Sequence, residues 1–268
     1  MSSADARRHW RATAHVLVTG TSGAIGGALA REVRARAPRA SLTLVDRDEE
    51  GSRRLADELR APGGEAEALA CDLGSMEATA GALAEAVRAR GPVTGLVNCA
   101  GFMEVRHFET LPWERAEALL MVDLVSPLRL MHACVPSMAA AGRGFVVNVA
   151  SMAGLVSLRG CAFYGAAKAG LGMASEIAGA ELRPRGVDVV TLYPGAIRSA
   201  LEDKARDQYG RGLASRLMPT GCPDELARLA LSAVEAGRAR VIYPRFYRVG
   251  ALPLAGRIAL RIGPPAVA

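Results

Sequence analysis

The feature that most constrains this chain is an alternation. Short runs rich in β-branched residues are separated, over and over, by longer stretches of Ala, Leu, Arg and Glu. Parallel strands joined by crossover helices need that rhythm, because each strand is covered on both faces and each return passes through a helix. The pattern predicts strands over 15–19, 41–46, 66–71, 93–98, 144–150, 187–193 and 240–243. It predicts helices over 24–37, 49–60, 75–90, 112–141, 162–183 and 222–236, with Ser75 as an N-cap, a turn at Gly63-Gly64 and a bend near Pro127. The fold class is α/β with a parallel sheet, and a chain of 268 residues is long enough to build it as one unit.

Charge and cysteine usage narrow the function classes. The net charge of +6 comes almost wholly from arginine, since Lys168 and Lys204 are the only lysines. The arginines are scattered along solvated faces with no basic run and no interleaved aromatics, so no nucleic-acid partner is expected, although an anionic cofactor would benefit from the field. The five cysteines stand singly, with no C-x-x-C and no metal-ligand spacing to the four histidines. That usage points to a reducing cytoplasm and to no metal site. The basic N-terminus runs into Thr, Ser and Gly too early for a signal-peptide core, and no run of about 18 uninterrupted apolar residues predicts a membrane span.

The first strand runs straight into Thr19-Gly20-Thr21-Ser22-Gly23-Ala24-Ile25-Gly26 and then a helix. Glycines at 20, 23 and 26 allow a tight turn and close approach of a pyrophosphate to backbone N–H groups at a helix N-terminus. Asp46 closes the second strand, where a carboxylate accepts hydrogen bonds from ribose hydroxyls and repels a 2′-phosphate. That favours NAD(H). Arg47 follows directly and leaves NADP(H) as the alternative, since it could meet a 2′-phosphate. Further on, Tyr164 and Lys168 lie four apart at the start of a predicted helix and share a face. A neighbouring ammonium favours the phenolate and lowers a tyrosine's pKa. Ser151, at the end of the fifth strand, offers a hydroxyl to a substrate oxygen.

These motifs occur in an order that resembles the short-chain dehydrogenase/reductase family, in its single-domain branch, over roughly residues 14–244. Thr19–Gly26 resembles the family's Gly-rich cofactor motif. Cys71-Asp72-Leu73 resembles its acidic dipeptide at the adenine, Asn98-Cys99-Ala100-Gly101 its N-N-A-G motif, and Tyr193-Pro194-Gly195 the Pro-Gly beside the nicotinamide. Ile197 and Ser199 follow in the same cofactor-lining loop. Ser151, Tyr164 and Lys168 match the catalytic set, including the thirteen-residue gap from Ser to Tyr. The resemblance implies a doubly wound (Rossmann) sheet of about seven parallel strands with helices on both faces. It implies hydride transfer at nicotinamide C4, with Tyr164 moving the proton, Ser151 orienting the oxygen, and Lys168 binding the nicotinamide ribose.

Four positions depart from the family pattern. Ala24 stands at its middle glycine, Cys99 at the second Asn of N-N-A-G, and Ser199 where a Thr is usual. Asp123 occupies the place of the Asn that helps hold a proton-relay water, so it counts with the catalytic residues. If the main-chain carbonyl does that work, Asp is tolerated; otherwise its carboxylate retunes Lys168 and Tyr164.

The expected substrate is a hydrophobic secondary alcohol or ketone, since Phe102, Met103, Met152, Leu155 and Val156 make an apolar rim. The family resemblance also implies a homodimer or homotetramer. Residues 1–244 form the catalytic domain, with a mobile substrate loop over 197–219. Residues 245–268 form an extension that reads as a lid or an oligomer contact in preference to an amphipathic segment on a membrane. A cofactor-sensing regulatory protein on the same fold is the alternative function; it would have no need of the Ser151/Tyr164/Lys168 set.

Overall fold

The computed structural model describes residues 15–60, 63–203 and 220–248. Seven parallel strands form one sheet in the order β3-β2-β1-β4-β5-β6-β7. They are β1 (His15–Thr19), β2 (Ser41–Asp46), β3 (Ala66–Ala70), β4 (Gly95–Asn98), β5 (Gly144–Val149), β6 (Val187–Pro194) and β7 (Arg240–Tyr243). The intervening helices are α1 (Ala24–Arg36), α2 (Glu49–Leu59), α3 (Met76–Arg90), α4 (Trp113–Leu120), α5 (Ser126–Ala140), α6 (Ala162–Leu182) and α7 (Pro223–Ala236). The strand order reverses between β1 and β4, and the crevice outside the strand C-termini at such a reversal is where this architecture binds ligands.

The period-two rule builds the two layers. Val16 and Val18 face a core shared with α1, α2 and α7, while Leu17 faces the core shared with α3, α5 and α6. Likewise Phe145, Val147 and Val149 point one way from β5 and Val146 the other. This is why the strands read as continuous apolar runs rather than as alternating ones. Ser75 caps α3 as expected, accepting from the Ala78 N–H at 3.1 Å.

The predicted single helix over 112–141 differs in one respect. The irregularity is a π-helical turn at Met121–Val125, upstream of Pro127. Pro127 is the second residue of α5 and has no N–H to donate, so the preceding turn widens, and Ser126 N–H bonds back to Met121 O. The same turn carries Asp123 into the interior. Within Trp113–Ala140 an 18-residue window reaches the mean hydropathy (1.5) of a membrane span, although the stretch contains no long uninterrupted apolar run. In the fold one side of it packs inward: Leu119, Leu130, Met131 and Met138 are buried against the sheet and its neighbouring helices.

Candidate active site

The Gly-rich loop is shaped by steric necessity. Gly20 has φ +74°, and its N–H bonds to Val45 O at 2.9 Å. A Cβ on Gly26 would lie 2.0 Å from Gly20 O, so the turn and the first turn of α1 interlock only with glycine there. Gly23 is the N-cap of α1, with no side chain capping the helix and no acidic residue in its first turn. An uncapped helix N-terminus behind a glycine turn fits a pyrophosphate. Ala24 and Ile25 are the first two helical residues, so the departure at Ala24 leaves the turn intact. Thr21 faces away from the loop, its hydroxyl bonded to Ser52 at 2.8 Å.

Asp46 sits at the edge of this cradle. Its Oδ2 accepts from both the N–H and the hydroxyl of Ser22 at 2.9 Å, and its Oδ1 accepts from Asp48 N–H at 3.0 Å. The carboxylate is therefore fixed in place and keeps open acceptor capacity on Oδ1. Arg47 beside it is exposed. Asp72 is exposed and turns its carboxylate to Gly74 N–H at 2.8 Å, while Cys71 N–H bonds to Asp46 O at 2.9 Å and Leu73 O accepts from Ser126 at 2.5 Å. These contacts fix the loop after β3 beside the cradle.

The segment after β4 comes next. Thr19 Oγ1 accepts from the N–H groups of Cys99 and Ala100, each at 3.1 Å, tying the ends of β1 and β4 together. Asn98 is inside the protein and donates to Pro127 O at 3.1 Å and Asn148 Oδ1 at 2.8 Å. It braces the strands rather than reaching the crevice. Gly101 has no room for a side chain: a Cβ would lie 2.4 Å from Asp123 Oδ1 and 3.2 Å from Lys168 Nζ.

Ser151, Tyr164 and Lys168 converge. Ser151 caps a 3-10 turn (Met152–Gly154), and its hydroxyl is close enough to the Tyr164 phenol to lower its pKa. Gly154 packs directly on the α6 backbone at Lys168, with a Cβ there only 2.7 Å from Lys168 C. Lys168 Nζ donates to Val149 O at 3.0 Å and lies 5.8 Å from the centre of the Tyr164 ring. Its carboxylate partner is Asp123, Oδ1 at 2.8 Å, and Asp123 Oδ2 accepts from Phe102 N–H at 3.0 Å. Both members of the pair are buried, Asp123 completely.

The electrostatics differ from the sequence-based expectation. Burial pushes the Tyr164 phenol above its ordinary value; Lys168 opposes that rise and Asp123 adds to it. Burial disfavours the Lys168 ammonium, yet Asp123 and Tyr164 together outweigh it and raise its pKa. Cys99, beside Lys168, is pushed up to about 12 by burial and stays a thiol.

Two apolar clusters hold the expected rim residues: Phe102 and Met103 pack in one with Tyr164, and Met152, Leu155 and Val156 pack in the other with Tyr193 and Tyr247. Tyr247, from the 3-10 turn Arg245–Arg248, carries no sequence motif. Its ring covers Gly195 so closely that a Cβ there would lie 2.4 Å away. Pro194 ends β6, Ile197 bridges to Gly221, and Ser199 Oγ accepts from Glu202 N–H at 3.2 Å. Of the expected substrate loop, residues 204–219 lie outside the described residues, as do 249–268 of the expected extension.

Comparison with known proteins decides the family. Residues 14–210 match the family model described as short chain dehydrogenase. The chain belongs to the short-chain dehydrogenase family. This short-chain dehydrogenase is 34% identical over 219 residues to a D-threitol dehydrogenase of Mycolicibacterium smegmatis, covering 80% of this chain and 83% of that one. It is similar to the solved short-chain dehydrogenase from Sphingobium yanoikuyae in complex with NADPH, at 30% identity and a TM-score of 0.77, covering 94% and 96% of the two chains. It is also similar to a bulky-bulky ketone specific alcohol dehydrogenase from Comamonas testosteroni, at 25% identity and a TM-score of 0.74, covering 94% of each chain. The protein is an NAD(P)-dependent oxidoreductase with a Rossmann-like sheet.

Proposed function

We propose that this dehydrogenase interconverts a hydrophobic secondary alcohol and its ketone, with Tyr164 as the acid/base. The convergence of Ser151 and Lys168 on the buried Tyr164 phenol carries this reading. When bound, the nicotinamide gives or takes the hydride. The chain supplies the rest. Ser151 holds the substrate oxygen beside the phenol, and Tyr164 gives or takes the proton at that oxygen. Lys168 turns its remaining N–H toward the nicotinamide ribose, and the apolar flanks keep water away. Loop 20–26 and α1 hold the pyrophosphate, and Asp72 and the loop after β4 border the adenosine half.

NAD(H) is the preferred cofactor in this reading, because a carboxylate fixed at the end of β2 accepts from ribose hydroxyls and repels a 2′-phosphate. The NADPH complex of the Sphingobium protein makes NADP(H) the specific alternative, with Arg47 as its contact. The names of the Comamonas and Mycolicibacterium relatives support alcohol–carbonyl chemistry, and the apolar flanks support a hydrophobic substrate. The exposed Trp113, Met173 and Ile177 support a homo-oligomer, and the free cysteines a cytoplasmic setting.

The test is Tyr164→Phe, assayed at the nicotinamide absorbance over a panel of ketones with both reduced cofactors. The expected result is a fall in kcat/KM of about 10²–10⁴-fold with cofactor affinity retained. Undiminished turnover in Tyr164→Phe overturns the assignment.

A further inference from the structure

We propose that Asp123 is a positioning residue whose carboxylate closes on the Lys168 ammonium as a fixed buried ion pair, so that Tyr164 is held as a proton donor and the site is set toward carbonyl reduction. This rests on the reading of Tyr164 as the acid/base.

The geometry leaves the pair little freedom. Asp123 Oδ1 is 2.8 Å from Lys168 Nζ, and Phe102 N–H holds the other oxygen at 3.0 Å. The glycine at 101 exists where any side chain would strike both partners. The π-helical turn that delivers Asp123 is built into the helix by Pro127. Lys168 has three N–H donors. Val149 O takes one of them, Asp123 Oδ1 stands at ion-pair distance from the ammonium, and donor capacity remains for a ribose hydroxyl.

An unpaired ammonium next to a phenol stabilises the phenolate; an ammonium neutralised at 2.8 Å by a carboxylate does so far less. The groups bearing on Tyr164 are Lys168 from its own helix, Asp123 from the π turn, the Ser151 hydroxyl after β5, and Cys161 just before α6. Those bearing on Lys168 are Asp123, Tyr164 and Cys99, the last after β4. Asp123 is the one carboxylate in this set. Burial raises its carboxyl pKa, and the ammonium and the Phe102 N–H oppose that rise. Burial is the main force that keeps the Tyr164 phenol neutral, Lys168 opposes it, and the Asp123 carboxylate adds to the rise, so that the net direction is upward.

A neutral phenol is the form that reduction needs. The step breaks the Tyr164 O–H bond and forms an O–H bond on the carbonyl oxygen. The carbonyl carbon gains the hydride that the reduced nicotinamide loses, and solvent returns a proton to the phenolate. Alcohol oxidation needs the opposite form and is confined to alkaline solution.

The experiment reads the phenol in the cofactor-free protein. Tyrosinate ultraviolet difference absorbance is titrated for the wild type, Tyr164→Phe, Asp123→Asn and the double variant, with circular dichroism following the fold. Subtracting each Tyr164→Phe curve isolates Tyr164. The expected wild-type midpoint lies above the ordinary tyrosine value of 10.0. Asp123→Asn moves it down by about one pH unit or more, a tenfold change in the ionisation constant. Equal midpoints with and without the carboxylate overturn the proposal. If Asp123→Asn does not fold, a wild-type midpoint at or below the ordinary value overturns it alone. Failure of every carbonyl to turn over sinks the reading of Tyr164 as acid/base instead, and is scored separately because the titration uses no substrate.

Discussion

Replacing Gly20 by Ala tests whether the cradle is built on one backbone conformation. Gly20 has φ +74°, and the added methyl would lie 2.6 Å from Ala100 N, 2.7 Å from Ala100 Cα and 2.9 Å from Cys99 C. All three are main-chain atoms, and Thr19 Oγ1 anchors that main chain through two N–H groups at 3.1 Å. The left-handed conformation costs alanine about 1–2 kcal/mol. Overpacking against a held segment costs about 1–3 kcal/mol more, giving about 2–5 kcal/mol in all. For a chain of this length, each kcal/mol lowers Tm by about 2–4 °C, so a drop of about 4–20 °C follows. The displaced segment includes Gly101, which touches the Asp123–Lys168 pair, so affinity for the reduced cofactor falls about tenfold or more, the equivalent of about 1.4 kcal/mol. Gly81→Ala is the matched control: it lies within α3 with nothing within 4 Å of an added Cβ, and it gains about 0.5–1 kcal/mol from helix propensity. Thermal unfolding and fluorescence titration with both reduced cofactors measure the two variants. A Gly20→Ala protein with wild-type Tm and affinity refutes the reasoning.

Three further outcomes are expected. His15 is buried and neutral, bonded to Gly91 O at 2.8 Å and Thr43 Oγ1 at 2.9 Å, and burial lowers its pKa from 6.5. The unfolded chain therefore takes up a proton first, so stability present above pH 6.5 is lost as pH falls toward the lower folded value. Denaturant unfolding at neutral pH and about pH 5 detects this, and His15→Gln removes this group's part of the slope. Lys168→Met strands the buried Asp123 carboxylate at a cost of about 3–5 kcal/mol at neutral pH. Because the stranded carboxyl binds a proton more readily folded than unfolded, this variant regains stability on acidification, and a flat melting curve series contradicts the ion pair. Asp46→Ala shifts the ratio of kcat/KM for NADH against NADPH toward NADPH by about tenfold; an unchanged ratio removes Asp46 from cofactor choice.

What the sequence determined by itself was local in nature. Strand positions followed from β-branched runs, because a residue buried on both faces of a parallel sheet has few alternatives. The glycines of 20–26 and the Tyr164–Lys168 spacing were legible because their geometry is set within one turn and one helical turn. The tertiary structure decided what depends on approach between distant segments. Asp123, Gly101 and Lys168 are far apart in sequence, and only packing closes them into a pair. Burial reversed the direction expected for Tyr164, and Asp123 adds to it: the motif supplies a cation, whereas the dry surroundings and the carboxylate come from elsewhere in the fold. Tyr247 over Gly195 was invisible for the same reason, having no motif and no local period. Local spacing thus specifies which groups are present, and long-range packing sets the dielectric and the partners that determine their protonation.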